Sequence, residues 1–182
     1  MSDESFYKEL MLWAREWEPG FGEKLAGLKA HGSETRGDPH RSETGATPRP
    51  ETAANRMDAL VKMAKSRCKT LRDAMKVMAF ALVEDEAVEF DAAAMVKAMA
   101  GNGRGVLEDF KAFIAGGDVD VAAVDGWIKS YAESKGLKMG DVAQPIRVGV
   151  TGSNVSPPLG EVVAVLGRES AVRRVERCLA KA

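Results

Sequence analysis

At 182 residues with 45% apolar side chains, the chain is long enough to bury a real core as one domain or one domain with an appendage. A net charge of −1 and a sequence pI of about 6.2 exclude a uniformly basic nucleic-acid binder. Cys68 and Cys178, the only cysteines, make no zinc-ligand spacing or disulfide framework and suit a reducing cytosol. The acidic start Met1-Ser2-Asp3-Glu4-Ser5 lacks the apolar core of a signal peptide. No run approaches the roughly 18 apolar residues of a membrane span, so a soluble, cytoplasmic protein is expected. Charge is nevertheless uneven. Residues 57–84 carry six bases against three acids, 85–143 six against eleven, and 144–182 six against three. Two basic blocks flanking an acidic one could steer a polyanion onto one face.

In chain order, residues 5–18 predict an amphipathic helix, with Phe6, Leu10, Trp13 and Trp17 on one stripe. Ser5 is placed to cap it and Pro19-Gly20 to end it. A shorter helical piece covers 22–30, so 1–30 forms an N-terminal helical appendage. The stretch 31–56 reads as a flexible linker, because 32–45 has no large apolar side chain to offset the entropy of ordering. His31 and His40 sit in it without metal-ligand spacing. Residues 57–182 form the main helical region. Leu60, Met63, Ala64, Leu71, Met75, Met78 and Leu82 fit one long or kinked helix, with methionine as core filler. Helices follow at 92–100, capped by Asp91, at 106–114, and at 121–134, capped by Asp120. A short helix at 137–143 leads to Pro145, and Ile146 to Val150 alternates like a strand. Segments 162–166 and 170–180 close the chain as helices. The fold class is all-α, a multi-helix domain with one short extended segment near Ile146–Val150 and an N-terminal amphipathic helix.

Residues 62–66, Lys-Met-Ala-Lys-Ser, look like the Lys-Met-Ser-Lys-Ser loop of class I synthetases, but their context rejects that role. About sixty residues precede them, with no His-x-Gly-His, no strand–helix alternation and no glycine-rich phosphate loop. Two other stretches carry more. One is Arg67-Cys68-Lys69-Thr70-Leu71, followed by the acidic turn Glu84-Asp85-Glu86-Ala87-Val88-Glu89-Phe90. The other is Gln144-Pro145-Ile146-Arg147-Val148-Gly149-Val150-Thr151-Gly152-Ser153, followed by Ser156-Pro157-Pro158-Leu159. Pro145 restricts the backbone before Arg147, and Gly149, Gly152 and Ser153 allow close approach. Together, in this order, the two stretches resemble the anticodon-binding C-terminal region of bacterial glutamyl-tRNA synthetases. The resemblance covers about Asp58 to Ala182 and none of 1–56.

That resemblance implies an anticodon-contact set of Arg67, Arg147, Ser156, Pro157 and Leu159. A guanidinium offers base edges and phosphates a planar fork that lysine cannot copy. Lys65, Lys69, Arg173, Arg174 and Arg177 are the expected phosphate contacts. One departure stands out: Gly160 occupies a position that is usually aromatic or bulky in the family, so a stacking group is missing there. No catalytic constellation, cofactor motif or metal-ligand set is legible. The expectation is a noncatalytic module binding tRNA, tRNA for glutamate by the resemblance. One alternative is the anticodon-binding subunit of a split synthetase, docking a catalytic chain through Phe6, Leu10, Trp13 and Trp17. The other is a repurposed paralogue serving as a protein-interaction domain.

Overall fold

The structure, a computed structural model, describes residues 2–30, 53–117 and 119–182. Among these there are ten α-helices and no strand. They divide into two units, Met1–Leu82 and Val83–Ala182. The fold is all-α, as the sequence predicts. His31, His40 and most of the stretch read as linker lie outside the described residues.

The first unit begins with α1, Asp3–Trp17. The cap is Ser2 rather than Ser5: the Ser2 side chain accepts from the Ser5 amide at 3.1 Å, which satisfies one of the four orphan N–H groups of the first turn. Phe6, Leu10 and Ala14 are the buried stripe of α1. Trp17 is 62% exposed and Trp13 half-buried, so the expected four-residue stripe turns away from the core at its C-terminal end. The cause is the spacing: Phe6, Leu10 and Ala14 recur at i, i+4 and i+8, whereas Trp13 and Trp17 fall on the neighbouring flank. Pro19 ends α1 and also opens α2, Pro19–Ala30. Proline suits the first helical position because its missing N–H is an orphan there anyway.

Helix α3, Ala53–Arg67, starts inside the stretch expected to be linker, and α1 and α2 both pack on it. The N-terminal helices are thus built into a unit with the next two helices. The long helix expected through Leu82 is broken at Cys68–Thr70. There Thr70 and Asp73 form a capping box: the Thr70 hydroxyl accepts from the Asp73 amide at 3.2 Å, and Asp73 accepts from the Thr70 amide at 3.1 Å. That box starts α4, Leu71–Met78, which runs into a 3₁₀ turn at Ala79–Ala81.

The second unit holds a 3₁₀ turn, Asp85–Ala87, then α5 (Ala92–Met99), α6 (Gly103–Gly116), α7 (Val121–Lys135), α8 (Met139–Thr151), α9 (Leu159–Leu166) and α10 (Arg168–Lys181). Asp91 and Asp120 cap α5 and α7 as expected, accepting from Ala94 and Ala123 at 2.6 and 2.7 Å. The extended segment predicted at Ile146–Val150 is instead the second half of α8, with Pro145 inside the helix. Helix α8 packs against α5, α6, α7, α9 and α10. The second half of α8, from Pro145 to Val150, is buried on every side but that of the half-buried Arg147, so this short stretch shows no clear 3.6-residue stripe. Ile146, Val148 and Val150 are all buried, and they alternate only because Arg147 and Gly149 lie between them. Gly149 allows the α6–α8 approach: a Cβ there would sit 2.9 Å from Leu107 Cδ2.

Candidate nucleic-acid interface

The end of α8 turns through a tightly bonded corner. The Thr151 hydroxyl donates to the Arg147 carbonyl at 2.8 Å and accepts from the Ser153 amide at 3.3 Å. Ser153 Oγ accepts from the Val155 amide at 3.2 Å, and Ser156 Oγ donates to the Pro157 carbonyl at 2.8 Å. Gly152 caps α8 with φ of +78°, in the left-handed region that favours glycine. Its carbonyl accepts from the Asp91 amide at 2.9 Å, tying the corner to the start of α5. The close approach that Gly149 and Gly152 permit is thus made by the chain itself.

Arg147 stands half-buried beside this corner. Its Nη1 donates a long, weak bond of 3.4 Å to the Ser156 carbonyl, and its buried Nε has no partner among the described residues. Burial pushes the guanidinium pKa below its usual value, with no carboxylate opposing the shift. Arginine still remains charged in a protein. A desolvated cation with an unused donor is costly unless something outside supplies an acceptor. Ser156 and Pro157 are half-buried next to it.

Leu159 is not part of this surface. It is 4% exposed because it is the first residue of α9 and points into the core. Gly160 has a structural explanation. A Cβ there would lie 2.8 Å from the Val121 carbonyl and 2.9 Å from its Cγ1. The α9 N-terminus is pressed on α7, and Asp125 of α7 accepts from the Gly160 amide at 3.2 Å, capping α9 from a neighbouring helix. A bulky residue here would have to separate α7 from α9, so no stacking group is missing from this place.

The expected phosphate contacts of α10 all engage the Asp85 turn, Arg174 from a buried position, Arg177 from a half-buried one and Arg173 from an exposed one. Arg174 is 2% exposed; its Nε meets Asp85 Oδ1 at 2.6 Å, and its Nη groups donate to Val83 and Val150 carbonyls at 2.6 and 3.2 Å. No phosphate can reach it. Arg173 binds Asp85 Oδ2 at 2.7 Å through Nη2, and Ser170 donates to Asp85 Oδ1. Arg177 donates to the Asp85 carbonyl, and its guanidinium lies 5.7 Å from the Phe90 ring centroid. Arg173, Arg174 and Arg177 therefore gather into one network on the Asp85 turn, of which Arg173 keeps an exposed face. Sequence reading missed Asp85 as their hub, although the acidic turn containing it was visible.

In the other unit, Lys65 is bound to Asp3 at 2.8 Å, so it is engaged as well. Arg67 and Lys69 are exposed at the end of α3, where Arg67 Nη1 bonds to Ser66 Oγ at 3.0 Å and to the Met63 carbonyl at 3.3 Å.

The structure is thus a helical domain whose corner sets a half-buried arginine beside a Ser-Pro-Pro turn. Residues 23–179 match the family model described as "Anticodon binding domain", and the chain belongs to that family. A glutamate–tRNA ligase of Nitratidesulfovibrio vulgaris is 37% identical over 131 residues, 70% of this chain and 28% of that protein. One of Myxococcus xanthus is 28% identical over 155 residues, 85% of this chain and 29% of that protein. A crystal structure of the glutamate–tRNA synthetase of Elizabethkingia anophelis superposes with a TM-score of 0.65 at 21% identity, covering 99% of this chain and 29% of that one. The chain spans less than a third of the length of these relatives. The family match begins at residue 23, upstream of the Asp58 start that the motifs suggest. No described helix is long and apolar enough to cross a membrane.

Proposed function

We propose that this chain is a noncatalytic cytoplasmic module that binds tRNA by its anticodon loop, with tRNA for glutamate as the cognate species. The observation carrying this reading is Arg147: half-buried, unopposed by any carboxylate among the described residues, and with a buried Nε lacking a partner. An anticodon base edge or phosphate supplies the missing acceptors, and the Ser156-Pro157 turn supplies carbonyls and a planar apolar surface. Arg67 adds a second guanidinium and Lys69 a phosphate contact, both from exposed positions of the first unit. The relatives being glutamate–tRNA ligases favours the glutamate species.

The test is binding of an anticodon stem-loop RNA by fluorescence anisotropy. Arg147→Ala is expected to cost about 1–3 kcal/mol on the cognate loop and much less on a scrambled loop. Arg147→Lys should recover little of it, because an ammonium lacks the planar fork. Equal losses on both loops would make Arg147 a phosphate contact.

A second reading, the subunit of a split synthetase, is favoured by Leu12 and Trp17, which are 66% and 62% exposed on α1. Phe6 and Leu10 are already buried within their own unit, so a catalytic partner would grip Leu12 and Trp17 instead. Native-extract purification should then yield a stoichiometric partner that Leu12→Ser/Trp17→Ser releases. A partner-free wild-type chain refutes this second reading.

A further inference from the structure

Helix α9 cannot cap itself. Its N-cap is Pro158, which has no side-chain acceptor, and the helix has only 8 residues. So short a helix is marginal without tertiary support. Asp125, 35 residues earlier in the chain and on α7, supplies the cap. Its Oδ1 accepts from the amide of Gly160, the second helical residue, where an N-cap side chain ordinarily bonds. Its negative charge also suits the positive end of the helix dipole. A Cβ at position 160 would lie 2.8 Å from that same Oδ1, so the cap requires glycine there. The capped residue closes the turn beside Arg147. At the other end of the turn, Gly152 is tied to the start of α5 by the 2.9 Å bond from the Asp91 amide. Between these two ties, residues 154–158 hydrogen-bond to no helix but α8 and α9 among the described residues. The Ser156 carbonyl, 3.4 Å from Arg147 Nη1, thus stands against Arg147 on the footing that Asp125 gives to α9.

We infer that Asp125 is a positioning residue for base discrimination, setting the Ser156-Pro157 turn against Arg147 by capping α9 from α7. The inference rests on the tRNA-binding reading above. Its expected sign is the reverse of a charge effect. Asp125 is an exposed acid, and removing an acid ordinarily strengthens binding to a polyanion. Loss of the cap instead frees the turn, which weakens the base-edge contacts at Arg147 and leaves the attraction of phosphates untouched.

The test is fluorescence anisotropy with the cognate and the scrambled anticodon stem-loop. Asp125→Ala should weaken the cognate loop about fivefold and leave the scrambled loop unchanged or slightly tighter. Asp125→Asn should stay within about twofold of wild type on both loops, because asparagine caps as well as aspartate. Glu133→Ala, which removes another exposed acid of α7, should cost the cognate loop nothing. In the Arg147→Ala protein, Asp125→Ala should add less than about twofold, since both changes act on one contact. Three results overturn the inference: Asp125→Ala within about twofold of wild type on the cognate loop, equal losses on both loops, or a loss in Asp125→Asn as large as in Asp125→Ala. In each of these a discriminating wild type leaves the tRNA-binding reading standing. A wild-type chain that treats cognate and scrambled loops alike, with Arg147→Ala silent, overturns that reading and this inference with it.

Discussion

Asp85→Ala is expected to destabilise the Val83–Ala182 unit by about 3–5 kcal/mol, the range for removing one partner of a buried ion pair. Asp85 is 7% exposed and holds Arg173, Arg174 and Ser170 at once. Without it, Arg174, itself 2% exposed, is a buried cation that has lost the Asp85 carboxylate, while its bonds to the Val83 and Val150 carbonyls remain. Typical domains have about 5–15 kcal/mol in all, so much of the unit's stability is at stake. Trp127 reports on this unit alone once Trp13 and Trp17 are changed to Phe, since those three are the only tryptophans. In urea the midpoint should fall by more than about 1 M for a slope of about 1–3 kcal/mol per molar. A loss below about 1 kcal/mol would show the pair to be dispensable.

The same network fixes the sign of the acid response. Burial alone raises the Asp85 pKa, but hydrogen bonds from Ser170, Arg174 and Arg173 outweigh it and hold the carboxyl below its ordinary value. A carboxyl depressed in the folded state stabilises above its unfolded pKa of about 3.9. That contribution is lost as pH falls through the lower folded value. Wild type should therefore lose stability below about pH 4, and Asp85→Asn should show a flatter acid limb.

Gly152→Ala is the second large effect, expected at about 3–4 kcal/mol from two separate causes. At φ of +78° an alanine adopts the left-handed region at about 1–2 kcal/mol. Its Cβ would also lie 2.0 Å from the Glu89 carbonyl oxygen, so the 88–91 segment must move. That movement breaks the 2.9 Å bond from the Asp91 amide to the Gly152 carbonyl. Gly136 separates the two causes, because it has φ of +63° with nothing within 4 Å of an added Cβ. Gly136→Ala should cost only the strain. In thermal unfolding, Gly152→Ala should lower Tm by about 10 °C or more and Gly136→Ala by less than half of that. Equal shifts would show that the close approach of Glu89 carries no energy.

Two helix starts were legible because neighbours alone decide them. Asp91 and Asp120 precede helical periods and cap them because an Asx side chain reaches an amide three residues on. The break at Cys68–Thr70 was also encoded locally, in the Thr70–Asp73 box, but the apolar stripe running across it hid the boundary. Ile146–Val150 misled for a different reason: every residue but Arg147 is buried, which hides the helical stripe and leaves an alternation that resembles a strand.

The sequence by itself determined the all-α class, the Asp91 and Asp120 helix caps, and the pairing of the Arg67 and Arg147 motifs that points to the anticodon-binding family. Only the tertiary structure decided which of the named residues remain at the surface. Leu159 is buried because α9 starts there, Gly160 because α7 presses on it, and Arg174 because Asp85, 89 residues away in the chain, draws it into the core. Arg147 kept its place at the corner. Local chemistry depends on residues a few positions apart, whereas burial depends on residues that only folding brings together.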